Sequence, residues 1–537
     1  MAEMLDARML DPDTPDEVVV TDTPREPVED PTLGIPVEVD REGTPRNRLV
    51  TIGDSLTHGF QSGAIFNTDI SWPMIVAHEM GWARFFRYPT YFGFGGLPLN
   101  MEFLIRELED GFGDRARFWE LPLALFRARQ FMDRVEDHWE RGPGSHVPRI
   151  AGINHNLSVY GWDLRDALVR TAEMMEGWID EPTDAFFKQI VENANERAGL
   201  RVLKSARDGD GNSLTPFGAA AQLGKEGTRE KPGEGHGIET LIVLLGANNA
   251  LPSMLRLEVA WSEEPGYKDL SQKRRFTVWK PSHFEEELDL VVQEIREIKA
   301  RHVILGTVPH VTVAPIARGV GSKVRKGSRY YPYYTRPWIP DSDFDAGNDP
   351  HITEQQARAI DSAIDQYNHA ITEAVRTARE DKDDPRDWYL FDVAGLLDRL
   401  AARRYIDDPL ARPDWWRKYE LPPELKALSP EPDSRFFVSG PEGRTQGGLF
   451  SLDGVHPTTI GYGIMAQELI QVMQQAGVQF YLGDGRTKRT GPVRVDFGRL
   501  ISRDTLISNP PRSITSDLAL IGWIDEVLDG VIGRLLF

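Results

Sequence analysis

The sequence predicts an α/β protein, a three-layer α/β/α sandwich with a central, mainly parallel sheet and long helical insertions. Two observations carry this. Short runs of β-branched or aliphatic residues recur at 49–52, 153–159, 240–245, 302–307 and 388–393. Runs of this length without polar alternation suit strands buried on both faces, as parallel strands are. Between them lie stretches of helical periodicity, and strand alternating with helix puts helices above and below one sheet.

Taken in order, residues 1–46 come first and carry thirteen acidic side chains against four arginines, with many prolines and no apolar period. That composition predicts a disordered acidic arm. The main domain is expected over 47–476. Helices are predicted at 164–179, after the second run, at 282–300, before the fourth, and at 353–379, before the fifth. In the middle one Phe284, Leu288, Val291, Ile295 and Ile298 share a face, with Glu285, Glu286 and Glu297 largely opposite. Three stretches exceed a minimal sandwich. Residues 80–150 hold aromatic-rich helical sequence, including Phe118, Trp119 and Trp139. Residues 308–350 hold Lys323, Arg325, Arg329 and a tyrosine run, and 401–450 are rich in Pro, Trp and charge. Insertions after strand carboxyl ends stand where open α/β sheets bind ligands, so these are candidate lids or pocket walls; peripheral packing is the alternative. Residues 477–537 form a C-terminal extension. Its last part, 518–536, reads as an amphipathic helix with Asp525, Glu526 and Asp529 on the polar face. Acids there suit packing on the body or on a second copy in a homodimer better than a membrane surface.

Composition narrows the function. A net charge of -21 over 537 residues argues against nucleic acid as a partner, since phosphate binding wants a basic face. There are no cysteines, which removes disulfides and thiolate chemistry and is compatible with a reducing cytosol. No segment reaches the apolar length of a membrane span, and the N-terminus lacks a signal-peptide pattern, so a cytoplasmic protein is expected. The histidines are scattered and no His-Glu-x-x-His or carboxylate cluster occurs, so neither a metal nor another cofactor is expected.

The chemistry concentrates in two distant segments. Gly53-Asp54-Ser55-Leu56 directly follows the first apolar run, and a serine where a buried strand yields to a helix can project its hydroxyl from the sheet rim. An unassisted hydroxyl is a weak nucleophile at neutral pH. Asp453-Gly454-Val455-His456-Pro457 supplies what it lacks. His456 can take the proton and return it to a leaving group, because imidazole titrates near the working pH. Asp453, three residues earlier, can hold that imidazole in the right tautomer. Asp54 and His58 are expected to be structural, Asp54 as a loop-orienting carboxylate.

With two further segments these residues resemble the SGNH/GDSL hydrolases, the GDSL-type lipases and esterases. The four blocks are Ile52-Gly53-Asp54-Ser55-Leu56-Thr57, Asn156-Leu157-Ser158-Val159-Tyr160-Gly161, Gly246-Ala247-Asn248-Asn249 and Asp453-Gly454-Val455-His456-Pro457, in the family's order. The resemblance covers few residues and none of the insertions. It implies a flavodoxin-like sheet, a catalytic triad of Ser55, His456 and Asp453, and an oxyanion hole. The hole's donors would be the Ser55 and Gly161 backbone N–H groups and the Asn248 amide, each worth about 3 kcal/mol in such sites. Gly93, Gly95 and Gly96 compete with Gly161 for the second block, because the gap from Ser55 to Gly161 is long. Gly161 is preferred for its flanking strand-like and helical stretches. One departure is Asn249, where the family usually has aspartate. The expected activity is hydrolysis of a carboxylic ester, with an apolar acyl or aromatic part, through an acyl-serine intermediate. An acyltransferase using the same triad and a weakly catalytic binding or scaffold protein are the alternatives.

Overall fold

The structure, a computed structural model, describes residues 9–113, 121–182, 191–512 and Ile514. Phe118, Trp119 and the expected helix over 518–536, with the homodimer it suggested, lie outside the described residues.

Four fully buried strands form the centre: β1 (Asn47–Gly53), β2 (Ile238–Leu244), β3 (Ala300–Gly306) and β4 (Asp387–Phe391). They pair in parallel in that order, with Ile52 opposite Val243 and Val243 opposite Leu305. Alternation along each strand sends side chains to two separate apolar clusters. Val50, Ile52, Leu241, Val243, Val303 and Leu390 belong to one, and Leu49, Ile242, Leu244, Ile304, Tyr389 and Phe391 to the other.

Helices supply the rest of both clusters. On the Val50 side lie α3 (Pro216–Gly224), α4 (Pro281–Arg296) and α5 (Glu354–Glu380). On the Leu49 side lie α2 (Trp72–Glu79) and α6 (Thr459–Gln475). The predicted face of α4 is the buried one: Phe284, Leu288, Val291 and Ile295 join the core. Helix α5 starts at a capping box, Thr353 accepting from the Gln356 N–H while the Gln356 side chain accepts from the Thr353 N–H. The helix expected over 164–179 is two pieces, Leu164–Val169 and Ala172–Trp178, because Thr171 caps a new start.

The run at 153–159 is only partly a strand. It lies beside β1, giving the His155 carbonyl to Thr51 and taking the Thr51 carbonyl at Leu157, yet its pairing reduces to one parallel bridge, Thr51 with Asn156. Its other edge meets no strand: the Asn156 side chain accepts from the Ser158 N–H (3.2 Å), and the Asn156 N–H donates to the Arg87 carbonyl (3.3 Å).

Residues 9–46 correct the expectation of a disordered arm. They run along the body, fixed by specific partners. Val18 is buried, the Pro31 carbonyl accepts from Leu390 N–H (2.9 Å), and the Ile35 carbonyl accepts from Arg379 Nε (3.0 Å). Asp392 is the chief anchor, accepting from Arg25 Nη1 (3.0 and 3.1 Å), the Val28 N–H (2.7 Å), the Thr307 hydroxyl (2.8 Å) and the Gly395 N–H (3.1 Å). The acidic composition therefore pairs with arginines far away in sequence: Asp22, for example, meets Arg358 (2.6 Å) and Arg325. No helix among the described residues is long and apolar enough to cross a membrane.

Asp392→Ala removes a helix cap and leaves Arg25 without its carboxylate. We predict a loss of about 2–4 kcal/mol in denaturant unfolding, with proteolysis within 9–46 faster than in wild type.

Candidate active site

β1 ends at Gly53, and the chain turns at once into the single-turn helix α1 (Ser55–His58). Glycine is required there: a Cβ on Gly53 would stand 2.7 Å from the Leu244 carbonyl oxygen of the neighbouring strand and collide with the Thr57 hydroxyl. Asp54 caps α1, its carboxylate accepting from Leu56 N–H (3.0 Å). Complete burial pushes the Asp54 carboxyl up to about 6, against the opposing pull of the Leu56 N–H and His456.

The segment 449–458 comes from the other end of the chain and meets this turn. His456 Nε2 lies 2.8 Å from Ser55 Oγ, and His456 Nδ1 lies 3.0 Å from Asp453 Oδ2. All three side chains are buried. Asp453 also accepts from the N–H groups of Gly63 (3.0 Å), Val455 (2.9 Å) and His456 (2.9 Å), and from the Ser451 hydroxyl (3.2 Å). Burial alone would raise its carboxyl. The imidazole and these donors outweigh it and hold the group below the usual carboxylate range, so it stays ionised. An ionised Asp453 accepts a hydrogen bond from the Nδ1 N–H, which holds the ring proton there and leaves Nε2 free to accept from Ser55.

Two further side chains support this arrangement, and the first carries no sequence signal. Phe60 packs its ring against His456 with centroids 4.6 Å apart, and the Phe60 carbonyl accepts from the Tyr462 hydroxyl (2.7 Å). His58 sits fully buried between Tyr91 Oη (2.8 Å) and the Tyr160 N–H, which donates to Nδ1 (3.2 Å). Burial drives its pKa down to about 3, so it is neutral. It ties α1 to the segment ending at Gly161. Asn156 adds a second tie through its amide to the Thr57 carbonyl (2.9 Å).

Gly161 adopts φ +72°, and with Asn248 it lines a small polar cavity of about 40 Å³. Asn248 Nδ2 donates to the Trp162 carbonyl (2.9 Å), which fixes the amide and leaves its other N–H uncommitted by that bond. Ser55 opens α1, so its N–H has no carbonyl within the helix to donate to. The competing glycines lie elsewhere. A Cβ at Gly93 would meet His138, one at Gly95 would meet Val135, and one at Gly96 would meet Ala64 (2.9 Å). Asn249 is completely buried, and neither its oxygen nor its nitrogen has a hydrogen-bond partner among the described residues.

Two unlike cavities flank the 246–252 turn. The polar one also holds Lys273, Arg170, Asp163 and Asp166. Lys273 bridges the two aspartates, 2.6 Å from Asp166. Burial and the neighbouring Asp166 charge raise the Asp163 carboxyl, whereas Lys273 and Arg170 overcome burial at Asp166 and lower it. The other cavity, about 110 Å³, has Ser55 and His456 in its wall and is otherwise mainly aliphatic, with Leu251, Leu396, Leu400, Ile464 and Met465. Of the insertions, 308–350 contributes Pro309, His310, Val311 and Ala314 and 401–450 contributes Ser434, Leu449 and Phe450. No described residue of 80–150 lines it. The helices Met101–Phe112 and Leu121–Glu140 pack peripherally instead, burying Leu104, Phe131 and Trp139.

Asp54→Asn keeps the helix cap and removes the buried acid. Because the folded carboxyl titrates near 6 and an unfolded one near 4, wild type loses stability as pH rises through that window. The variant should gain on wild type progressively from pH 4 to 6, by about 1–3 kcal/mol, and hold a constant advantage above it in denaturant melts. The chain matches no protein-family model, and no curated protein matches it.

Proposed function

We propose that the protein is a serine esterase of the SGNH/GDSL type, hydrolysing a carboxylic ester that carries an apolar acyl group. The observation that carries this reading is the continuous relay from Asp453 through His456 to Ser55 in the wall of an aliphatic cavity. The parallel sheet with helices on both faces, extended past β1 by the 153–159 segment, supports a three-layer, flavodoxin-like sandwich.

In this mechanism the ester's acyl chain enters the aliphatic cavity and brings its carbonyl carbon to Ser55 Oγ. Oγ attacks as its proton passes to His456 Nε2, and ionised Asp453 stabilises the imidazolium. The carbonyl oxygen becomes an oxyanion. The Ser55 and Gly161 N–H groups and the Asn248 amide are the donors we assign to it. The tetrahedral intermediate collapses, His456 returns the proton to the leaving alkoxide, and an acyl-Ser55 remains. Water then attacks with His456 as base, releasing acid and restoring the serine. The polar cavity beside Gly161 and Asn248 suits a polar alcohol part.

p-Nitrophenyl esters from acetate to palmitate test this. We predict that kcat/KM rises from acetate toward medium chains, each buried methylene adding up to about 0.8 kcal/mol, and falls once the cavity is full. Ser55→Ala should lower kcat at least 10³-fold and Asp453→Asn by about 10³–10⁴. Equal rates in Ser55→Ala and wild type would refute the assignment.

A further inference from the structure

Beyond the aliphatic cavity lies another of about 30 Å³, lined by Arg329, Arg403 and Arg404. The two share Ser434, and the chain between them alternates. Val311 and Ala314 face the first, Thr312 and Pro315 the second.

The arginines differ in their partners. Arg404 is committed to Asp361 (2.8 Å) and Thr312 (2.6 Å). Arg329 is 4 % exposed, and its Nε and Nη1 make no hydrogen bond among the described residues. Arg403 donates to the Gly319 carbonyl (2.9 Å) and lies over the Tyr331 ring at 5.5 Å. Among the described residues neither of these two has a carboxylate within ion-pair distance, although the Asp361 and Asp365 charges favour the charged form of Arg329. Nearby acids are already engaged. Asp361 accepts from Arg404, from the Tyr330 hydroxyl (3.1 Å) and from the Thr312 hydroxyl (2.5 Å), while Asp365 (2.9 Å) and Asp398 (3.5 Å) flank His310. Arg403 and Arg404 are carried on a π-helical turn, Ala402–Ile406, a form that occurs often at functional sites. Buried guanidinium N–H groups left unbonded are costly, and the planar fork matches the paired oxygens of a carboxylate or phosphate.

We infer that this cavity binds a small oxyanion group, carboxylate or phosphate, through Arg329 and Arg403. The group is either the distal acid of the ester substrate, whose chain fills the adjoining cavity, or a free anion. Only the first source rests on the esterase reading.

The test uses the full chain. Sodium phosphate and disodium succinate are each titrated against sodium chloride of equal ionic strength, with thermal unfolding and calorimetric binding as readouts. We expect a saturable rise in Tm of about 2 °C or more in wild type and in Ser55→Ala, and its loss in Arg329→Met and Arg403→Met. Arg403 is partly exposed, so its variant serves if Arg329→Met fails to fold. A rise no larger than with chloride, or one retained in Arg403→Met, overturns the site. Hydrolysis of p-nitrophenyl hydrogen adipate against p-nitrophenyl hexanoate then separates the sources. A tenfold preference for the acidic ester that Arg403→Met abolishes assigns the site to substrate. Anion binding with no such preference assigns it to a free anion.

Discussion

A buried, ionised carboxylate organises this protein's candidate active site. Asp453 is out of water, and an isolated charge there would be prohibitively expensive. Four donors besides the imidazole offset that cost, and they come from two ends of the chain: Gly63 beside the nucleophile turn, and Ser451, Val455 and His456 in its own loop. Satisfying one charge thus staples residue 453 to residue 63. The same geometry leaves one direction for His456, toward Ser55, with Phe60 against its ring. A neutral residue at 453 would free the loop and the imidazole together.

The sheet does the complementary work. Its strands end at one rim, where β1 delivers Ser55 and β2 delivers the 246–252 turn. That turn divides an aliphatic cavity from a polar one, so the two halves of an amphipathic ester would meet different surroundings on either side of the same hydroxyl. Positions that look redundant in the chain acquire distinct jobs. His58 is a neutral brace that holds the Tyr160–Gly161 backbone to α1, while His456 is free to move a proton.

Much of this was legible in the chain, and the limits have physical causes. Continuous apolar runs mark β1 to β4 because burial on both faces leaves no polar alternation. The 153–159 segment mixes polar residues among its apolar ones, and its outer edge is closed by the Asn156 side chain and the Arg87 carbonyl, bonds that periodicity does not register. The Ser55 and Asp453–His456 segments stand out because their chemistry needs particular residue types at short spacing. Most of their supports do not: Phe60 and Gly63 act through loop contacts with no period, and His58, expected to be structural, gives no sign of its partners Tyr91 and Tyr160. Composition misread residues 9–46, since acid and proline content describe a solvated chain but cannot register partners such as Arg358, Arg325 and Arg379, hundreds of residues away. The helices in 80–150 show helical sequence but no sign of what they pack against. Only the structure assigns them to packing and gives the cavity wall to the two later insertions.

The most direct test of the central claim is covalent labelling with an alkyl fluorophosphonate, followed by intact-mass and peptide analysis. We predict one adduct per chain, located on Ser55, with labelling abolished in Ser55→Ala and slowed by orders of magnitude in His456→Ala. A wild-type protein that takes no label, or an adduct that persists in Ser55→Ala, would contradict the claim.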